Sequence, residues 1–408
     1  MIGVFFNRAL SCVIVYAVSS MVAQSTLALE PRNLRAGPVY IAPTLKVAAR
    51  YVDNLFRLDN DEKNTWITEY TPKLLTWLQD GTNTYSLSYE LEDSHYASSH
   101  DDDFTDHRAN LDLHHEFNIR NVMNVSGEYY DGHEERGTGL SEGEISQIID
   151  EPVEYESTRI GGDYTYGNRL SRGRLELAAR TISYEYKNFR DFTRFRDRDA
   201  DTYSATFFWK IGSRTDALLE ARAINNDYDR DDPLNPAGSL DSDEMNYLLG
   251  LTWDATARTT GSVKIGAYDR EYDSSGRSDE DGFQWEVDVT WKPRTYSSVN
   301  LITRRVSQET NGLGDFIDTS EYAVAWDHKW TLRSRTKLSF LFGDDDYSGA
   351  DRSDDRFRVE AGFSHEMRRW LDLGFGYRFE KRDSNARFLD ESLDYTQNMF
   401  FVEATLSL

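Results

Sequence analysis

Residues 283–292 alternate strictly. Phe283, Trp285, Val287, Val289 and Trp291 fall on one side of an extended chain, and Gln284, Glu286, Asp288, Thr290 and Lys292 fall on the other, which is the period of two that a strand imposes. Lys292-Pro293-Arg294 predicts a turn, and a second alternating run leads away through Val299 and Leu301. The same pattern runs through Tyr85/Leu87/Tyr89/Leu91, Tyr203/Ala205/Phe207/Trp209, Tyr247/Leu249/Leu251/Trp253, Phe357/Val359/Ala361/Phe363 and Leu371/Leu373/Phe375/Tyr377/Phe379. Aromatic-ended runs ahead of a short turn stand at Trp77, Phe117, Tyr166, Trp209, Trp253, Trp291, Trp330 and Phe363. Most are roughly 40 residues apart, an internal repeat of two long strands. A propeller repeats at a similar length but needs four short strands per unit. The pattern therefore predicts an all-β fold: a transmembrane antiparallel up-and-down β-barrel of about 18 strands with an apolar belt outside and a polar lumen. The first strand is expected near 39–56 and the last near 395–408, where Phe400, Val402, Ala404, Leu406 and Leu408 share a face.

The two sets of connections differ, and this orients the barrel. Those after the aromatic ends are short and often basic, as in Lys210 to Arg214, Lys292 to Arg294, Arg333 to Arg335 and Met367 to Arg369. The others are longer and mostly acidic, as in 101–103, 229–243, 279–281 and 344–355. Short turns face the periplasm and long loops face outward in such barrels. The longest insertion, 138–152, carries Ser141-Glu142-Gly143-Glu144 ahead of Ile145, Ile148 and Ile149, the spacing of a capping box. It predicts either a short helix that caps or enters the lumen, or a plain loop.

Composition narrows the picture. Residues 1–28 read as a secretory signal peptide, with Arg8 in the n-region, an apolar run from Ala9 to Ala23, and small residues through Ala28. Residues 29–38 are expected to form a periplasmic segment and 39–408 the barrel. The single cysteine, Cys12, lies in the signal, so the mature chain has neither disulfides nor thiolate metal sites. The formal charge of −25 becomes more negative when Arg8 is removed, and excludes nucleic acid as a partner. A mean hydropathy of −0.67 fits a barrel, in which half of each strand and every loop is polar. After the signal no apolar run approaches the length of a membrane helix.

Candidate chemistry is sparse. Gly139-Leu140-Ser141-Glu142-Gly143 matches a hydrolase elbow in letters, but that elbow needs a strand before it and a helix after it, and here a surface loop is expected. His107, His114 and His115 share a strand, with His107 and His114 on opposite faces, so no metal site follows. The acidic loops could hold Ca²⁺ or bridge through divalent ions to lipopolysaccharide phosphates, yet they lack a calcium-loop spacing and read as solvated. No cofactor, catalytic group or metal ligand is expected. The informative charges are those in phase with the polar face: Glu90, Arg174, Glu176, Arg180, Glu220, Arg222, Lys264, Glu286, Asp288, Asp372, Arg378 and Glu380. On a lipid face each Arg or Lys would cost about 2–4 kcal/mol at the midplane, which places them in the lumen. They could be ion pairs that rigidify the barrel or the wall of a hydrated conduit.

Tyr51, Asp53, Asn54, Leu55, Phe56 and Arg57 form a stretch that resembles the Y-x-D-N-[LIV]-F-R motif on the first strand of the putative β-barrel porin 2 family. That family includes the EpsL-type outer-membrane proteins associated with exopolysaccharide. Val52 fills the unrestricted second position of the pattern, where an acidic residue is expected. The resemblance implies an outer-membrane protein of a Gram-negative bacterium that acts as a passive exit conduit in exopolysaccharide or capsular polysaccharide secretion. Its expected partners are outer-membrane lipid and lipopolysaccharide, the polysaccharide itself, a periplasmic polysaccharide-export protein, and the barrel assembly machinery that reads the last strand. A general diffusion porin and a structural or adhesive barrel with a closed lumen are the alternatives. An enzyme would need a nucleophile, base and orienting group together, and none is recognisable.

Overall fold

The computed structural model describes residues 34–407 apart from 144, 234, 255–257, 311 and 389–390. The signal segment, residues 29–33, Glu144 and Leu408 therefore lie outside the described residues. Eighteen strands form one closed antiparallel barrel: β1 Val39–Val52, β2 Thr65–Asp80, β3 Asn83–Tyr96, β4 Phe104–Asn118, β5 Asn121–His133, β6 Glu154–Tyr166, β7 Gly173–Tyr186, β8 Arg198–Lys210, β9 Thr215–Tyr228, β10 Ser242–Trp253, β11 Thr259–Tyr272, β12 Glu280–Arg294, β13 Ser297–Glu309, β14 Phe316–Lys329, β15 Ser334–Tyr347, β16 Ser353–Arg368, β17 Leu371–Ser384 and β18 Tyr395–Ser407. Each strand pairs with the next, and β1 closes on β18 from Thr44 opposite Ser407 to Val52 opposite Met399. Closure leaves no free edge to recruit another chain. The start of β1, beyond the end of β18, is covered by a short strand, Leu34–Ala36, that folds back on Val39–Ile41. The expected segment 29–38 thus contributes a strand of its own.

The strands exist because their sequences alternate, and the alternation sorts the surface. Trp209, Leu219, Tyr247, Leu249, Phe375 and Val402 stand well exposed on the outside, a disposition that water would penalise and a bilayer rewards. Glu220, Glu244, Asn246, Gln284 and Glu360 point inward and are almost wholly buried. Turns on one end span two to six residues and loops on the other five to twenty. The tightest turns follow local chemistry: Asp80-Gly81 places its glycine at φ 62° in a two-residue hairpin.

Several expectations change. The chain does not turn at Lys292-Pro293-Arg294. The strand continues to Arg294 through a register shift after Trp291 and turns at 295–296, because proline is tolerated at such an irregularity near a strand end. Trp77, grouped in the sequence with the outward aromatics, shares its face with Glu69 and Lys73 and stacks on Tyr40 at 5.2 Å between ring centres. Both rings lie inside the periplasmic mouth. The capping box would need Glu144, which lies outside the described residues. The helical turn runs Ile145–Ile148, and Ser141 precedes it in a 3₁₀ turn, where its hydroxyl donates to Thr138 O at 2.9 Å.

Candidate functional site

The first strand ends at Val52, not near residue 56, so most of the 51–57 motif leaves the sheet. Tyr51 remains on the outside, packed on Trp66. Asp53 accepts from the backbone and side chain of Asn398 on β18 at 2.7 and 2.6 Å. Asn54 is completely buried; its side chain accepts from Leu58 N and donates to Leu58 O and Thr396 O, an asparagine-locked turn. Leu55 is buried behind it. Loop 53–64 consequently bends into the barrel. Phe56 packs against the Arg136 guanidinium, and Arg57, at φ 53°, reaches inward.

Loop 134–153 meets it there. Arg57 donates to Arg136 O at 2.7 Å, pairs with Glu135, and lies 3.5 Å from Glu380 on the interior of β17. Burial opposes the charge of Arg57, but Glu135 and Glu380 outweigh it and hold its pKa above the usual value. The Arg57 guanidinium in turn holds the Glu135 carboxyl well below the usual carboxylate range. Neighbouring Glu134 behaves oppositely: burial raises its pKa although Leu140 N and the Tyr186 hydroxyl donate to it. Arg136 pairs with Asp102 at 2.6 Å and donates to the carbonyls of Ile149 and Glu151. Between these groups Gly137 has φ 72°, and a Cβ there would lie 2.2 Å from Phe56 O, so the two loops close only over glycine. Glu142 extends farther. It takes Arg352, in the loop after β15, and Arg382, on β17, both at 2.7 Å. β17 is six strands from β5 around the closed sheet, a third of the circumference. Loop 134–153 therefore crosses the outer mouth and is fastened on the far side.

The twelve charges singled out by phase all lie opposite the apolar belt, though not as one group. Glu220, Arg222, Lys264 and Glu286 form a closed ring in which each cation bridges both carboxylates, at 2.5 to 3.0 Å. Arg378 pairs with Glu360 at 2.8 Å and approaches Glu380 at 3.8 Å, which also takes Arg358 at 2.8 Å. Glu90 pairs with Lys73 at 3.0 Å, and the Arg174 guanidinium lies 4.0 Å above the Phe208 ring. Arg180 packs beside Gly161. Glu176, Asp288 and Asp372 stand opposite Thr165, Ser262 and Thr405 in the register. Further inward groups escaped sequence reading. Glu69 takes Lys46 and Arg50 at 2.6 and 2.5 Å, and Arg270 joins Glu244 to Glu309, both at 3.0 Å. Their alternation could have revealed them. Nothing local marks Glu135, Arg136 or Glu142, whose partners are distant in the chain.

The other candidates resolve simply. Ser141 is buried within the infolded loop and bonded to Thr138 O, not raised on an elbow or set in a surface loop. His107 bonds Tyr89 on the outside and His114 bonds Asn124 on the inside, at 2.8 and 2.7 Å. Among the described residues no three His, Cys, Asp or Glu side chains are grouped to hold a metal ion.

Solved structures similar in shape include Acinetobacter baumannii OccAB4, at 11% identity, 92% of this chain, 99% of that one and a TM-score of 0.46. The Pseudomonas aeruginosa outer-membrane protein OpdK (12%, 90%, 99%, 0.46) and OpdO (12%, 91%, 97%, 0.47) are similar to the same degree. No functionally curated protein sequence matches the chain. The barrel is an outer-membrane protein of the Gram-negative type. The sequence profile described as Putative beta-barrel porin 2 matches residues 28–408, and the chain belongs to that family.

Proposed function

We propose that the protein is a passive channel for small polar solutes of low net charge. The observation that carries this reading is the outer mouth, where loops 53–64 and 134–153 are fastened by buried ion pairs. Such a strap narrows the path while the wall behind it stays polar. Because many wall charges are paired, as in the ring of Glu220, Arg222, Lys264 and Glu286 and in the pairs of Glu69 and Glu360, the lumen offers hydrogen-bonding groups of both signs. A solute can exchange part of its hydration for these groups and leave again. Liposome swelling with sugars of increasing size tests this: uptake of mono- and disaccharides with exclusion of long oligosaccharides is expected. A purified barrel that shows no conductance in planar bilayers, even after residues 138–152 are deleted, would refute any conduit.

Exit of an exopolysaccharide or capsular chain is the second reading, supported by the inward aromatics. Tyr40 and Trp77 stack at 5.2 Å at the periplasmic mouth, a surface on which a sugar ring can rest. A polymer would require the strap to open, with a periplasmic export protein supplying the chain. Gene deletion separates the two readings. Loss of surface polysaccharide with unchanged sugar uptake favours export, and the reverse favours the solute channel.

A further inference from the structure

The periplasmic turns repeat one chemical device. Ile119 precedes Arg120, Leu170 sits between Arg169 and Arg172, Ile211 precedes Arg214, Leu332 precedes Arg333, and Arg369 precedes Trp370. The apolar members project freely: Leu332 is 99% exposed, Leu170 86% and Ile119 75%. The eight turns hold one acidic residue, Asp254, which pairs with Arg169 at 2.8 Å. Arg120, Arg172, Arg214, Arg333 and Arg369 have no salt bridge to an acidic side chain among the described residues.

We propose that this rim is a binding collar for anionic glycerophospholipids of the periplasmic leaflet. Depth supports it first. Ile119, Ile211 and Leu332 each follow an outward aromatic, Phe117, Trp209 or Trp330, by two residues. Two residues at about 3.3 Å each on a strand tilted about 45° advance roughly 5 Å along the membrane normal. The headgroup zone beyond the hydrocarbon is itself about 5–7 Å deep on each side. The tips thus remain at the phosphate level, with aliphatic ends turned to the acyl boundary and guanidiniums offering paired donors to phosphate. Distribution supports it second. The device recurs on five of the eight turns, three between β4 and β9 and two between β14 and β17 on the opposite side of the ring, which matches an annulus of lipid better than a soluble protein docked on one arc. Its apolar tips continue the lipid-facing belt, and its charge complements an anionic headgroup.

The test uses the full mature barrel, delipidated and titrated with an equimolar mixture of phosphatidylglycerol and phosphatidylcholine of matched chains, with bound lipid counted by native mass spectrometry. Phosphatidylglycerol is expected to be retained several-fold over phosphatidylcholine. The preference should fall to parity in a variant carrying Arg120→Gln, Arg172→Gln, Arg214→Gln, Arg333→Gln and Arg369→Gln, with unchanged heat-modifiable mobility. Should that variant fail to fold, Arg214→Gln/Arg333→Gln and Arg333→Gln/Arg369→Gln must each lower the preference by part of the same amount. No preference in the wild type, or the same preference in folded variants, overturns the proposal. So does a variant that loses only capture of a periplasmic protein.

Discussion

Replacing Glu142 with Gln should release the strap while leaving the barrel standing. Glu142 holds two guanidiniums at 2.7 Å, and the Arg352 and Arg382 side chains are only 3% and 5% exposed. A pair of exposed ions contributes at most about 1 kcal/mol, and removing one member of a fully buried pair costs about 3–5 kcal/mol. Glu142 itself keeps some contact with water, at 16% exposure, and Arg352 retains Asp354 while Arg382 retains Leu393 O and the Tyr395 ring. The loss therefore falls at roughly 2–4 kcal/mol, between those limits. At 1.4 kcal/mol per tenfold, the released population rises about 30- to 700-fold. Arg136 with Asp102, Ile149 O and Glu151 O, Arg57 with Glu135, and Glu134 with Leu140 N do not involve Glu142, so the loop should stay held at both ends and swing at 141–148. Single-channel recording should show a larger, noisier conductance, and liposome swelling a higher sugar-size limit, with heat-modifiable mobility unchanged. Identical conductance and size limit in a folded Glu142→Gln barrel would refute the strap.

Three further outcomes follow from the same geometry. Leu249 lies on the outer face between Leu219 and Ile265, so Leu249→Arg should destabilise the barrel by about 2–4 kcal/mol, read from urea unfolding in lipid. Asp355 stands directly opposite both Asp344 and Asp383; Asp355→Asn should stabilise by about 0.5–1 kcal/mol at low salt and by less at high salt, because like charges across strands repel and are screened. Glu135 has a depressed folded pKa, so its stabilising contribution is complete above its unfolded value of about 4.3 and is lost only as pH falls through a folded value of about 2. Channel noise should therefore be constant from neutral pH to about pH 4 and rise below it, and Arg57→Met should abolish that acid response.

What the sequence made legible is whatever repeats within a strand. Strand number, phase, the outer belt and the inward position of Glu220, Arg222, Lys264 and Glu286 all follow from counting by twos, since a one-residue slip would turn every one of those charges to lipid. Trp77 shows the limit of reading by residue type: an aromatic ahead of a turn suggested the outer girdle, yet its phase with Glu69 and Lys73 sends it inward. The 51–57 stretch shows another. Continuous alternation across Val52 would have kept it in the sheet, but Asn54 offers the backbone a side-chain partner and Arg57 finds two carboxylates inside, so the chain leaves the strand where those bonds begin. The strap was illegible for a related reason. Glu135, Arg136 and Glu142 sit among the many acids and bases of loops that look solvated, and their partners are between 34 and 240 residues away. No period relates such positions. Strand phase fixes the wall, whereas the mouth depends on a few isolated ion pairs whose arginines become unusual only when the loops have folded in and buried them. The wall should therefore tolerate substitutions that preserve both phase and its buried ion pairs, while the size of solute admitted should change with single loop charges. That separation is why a barrel recognisable from its strands can still differ in what it passes.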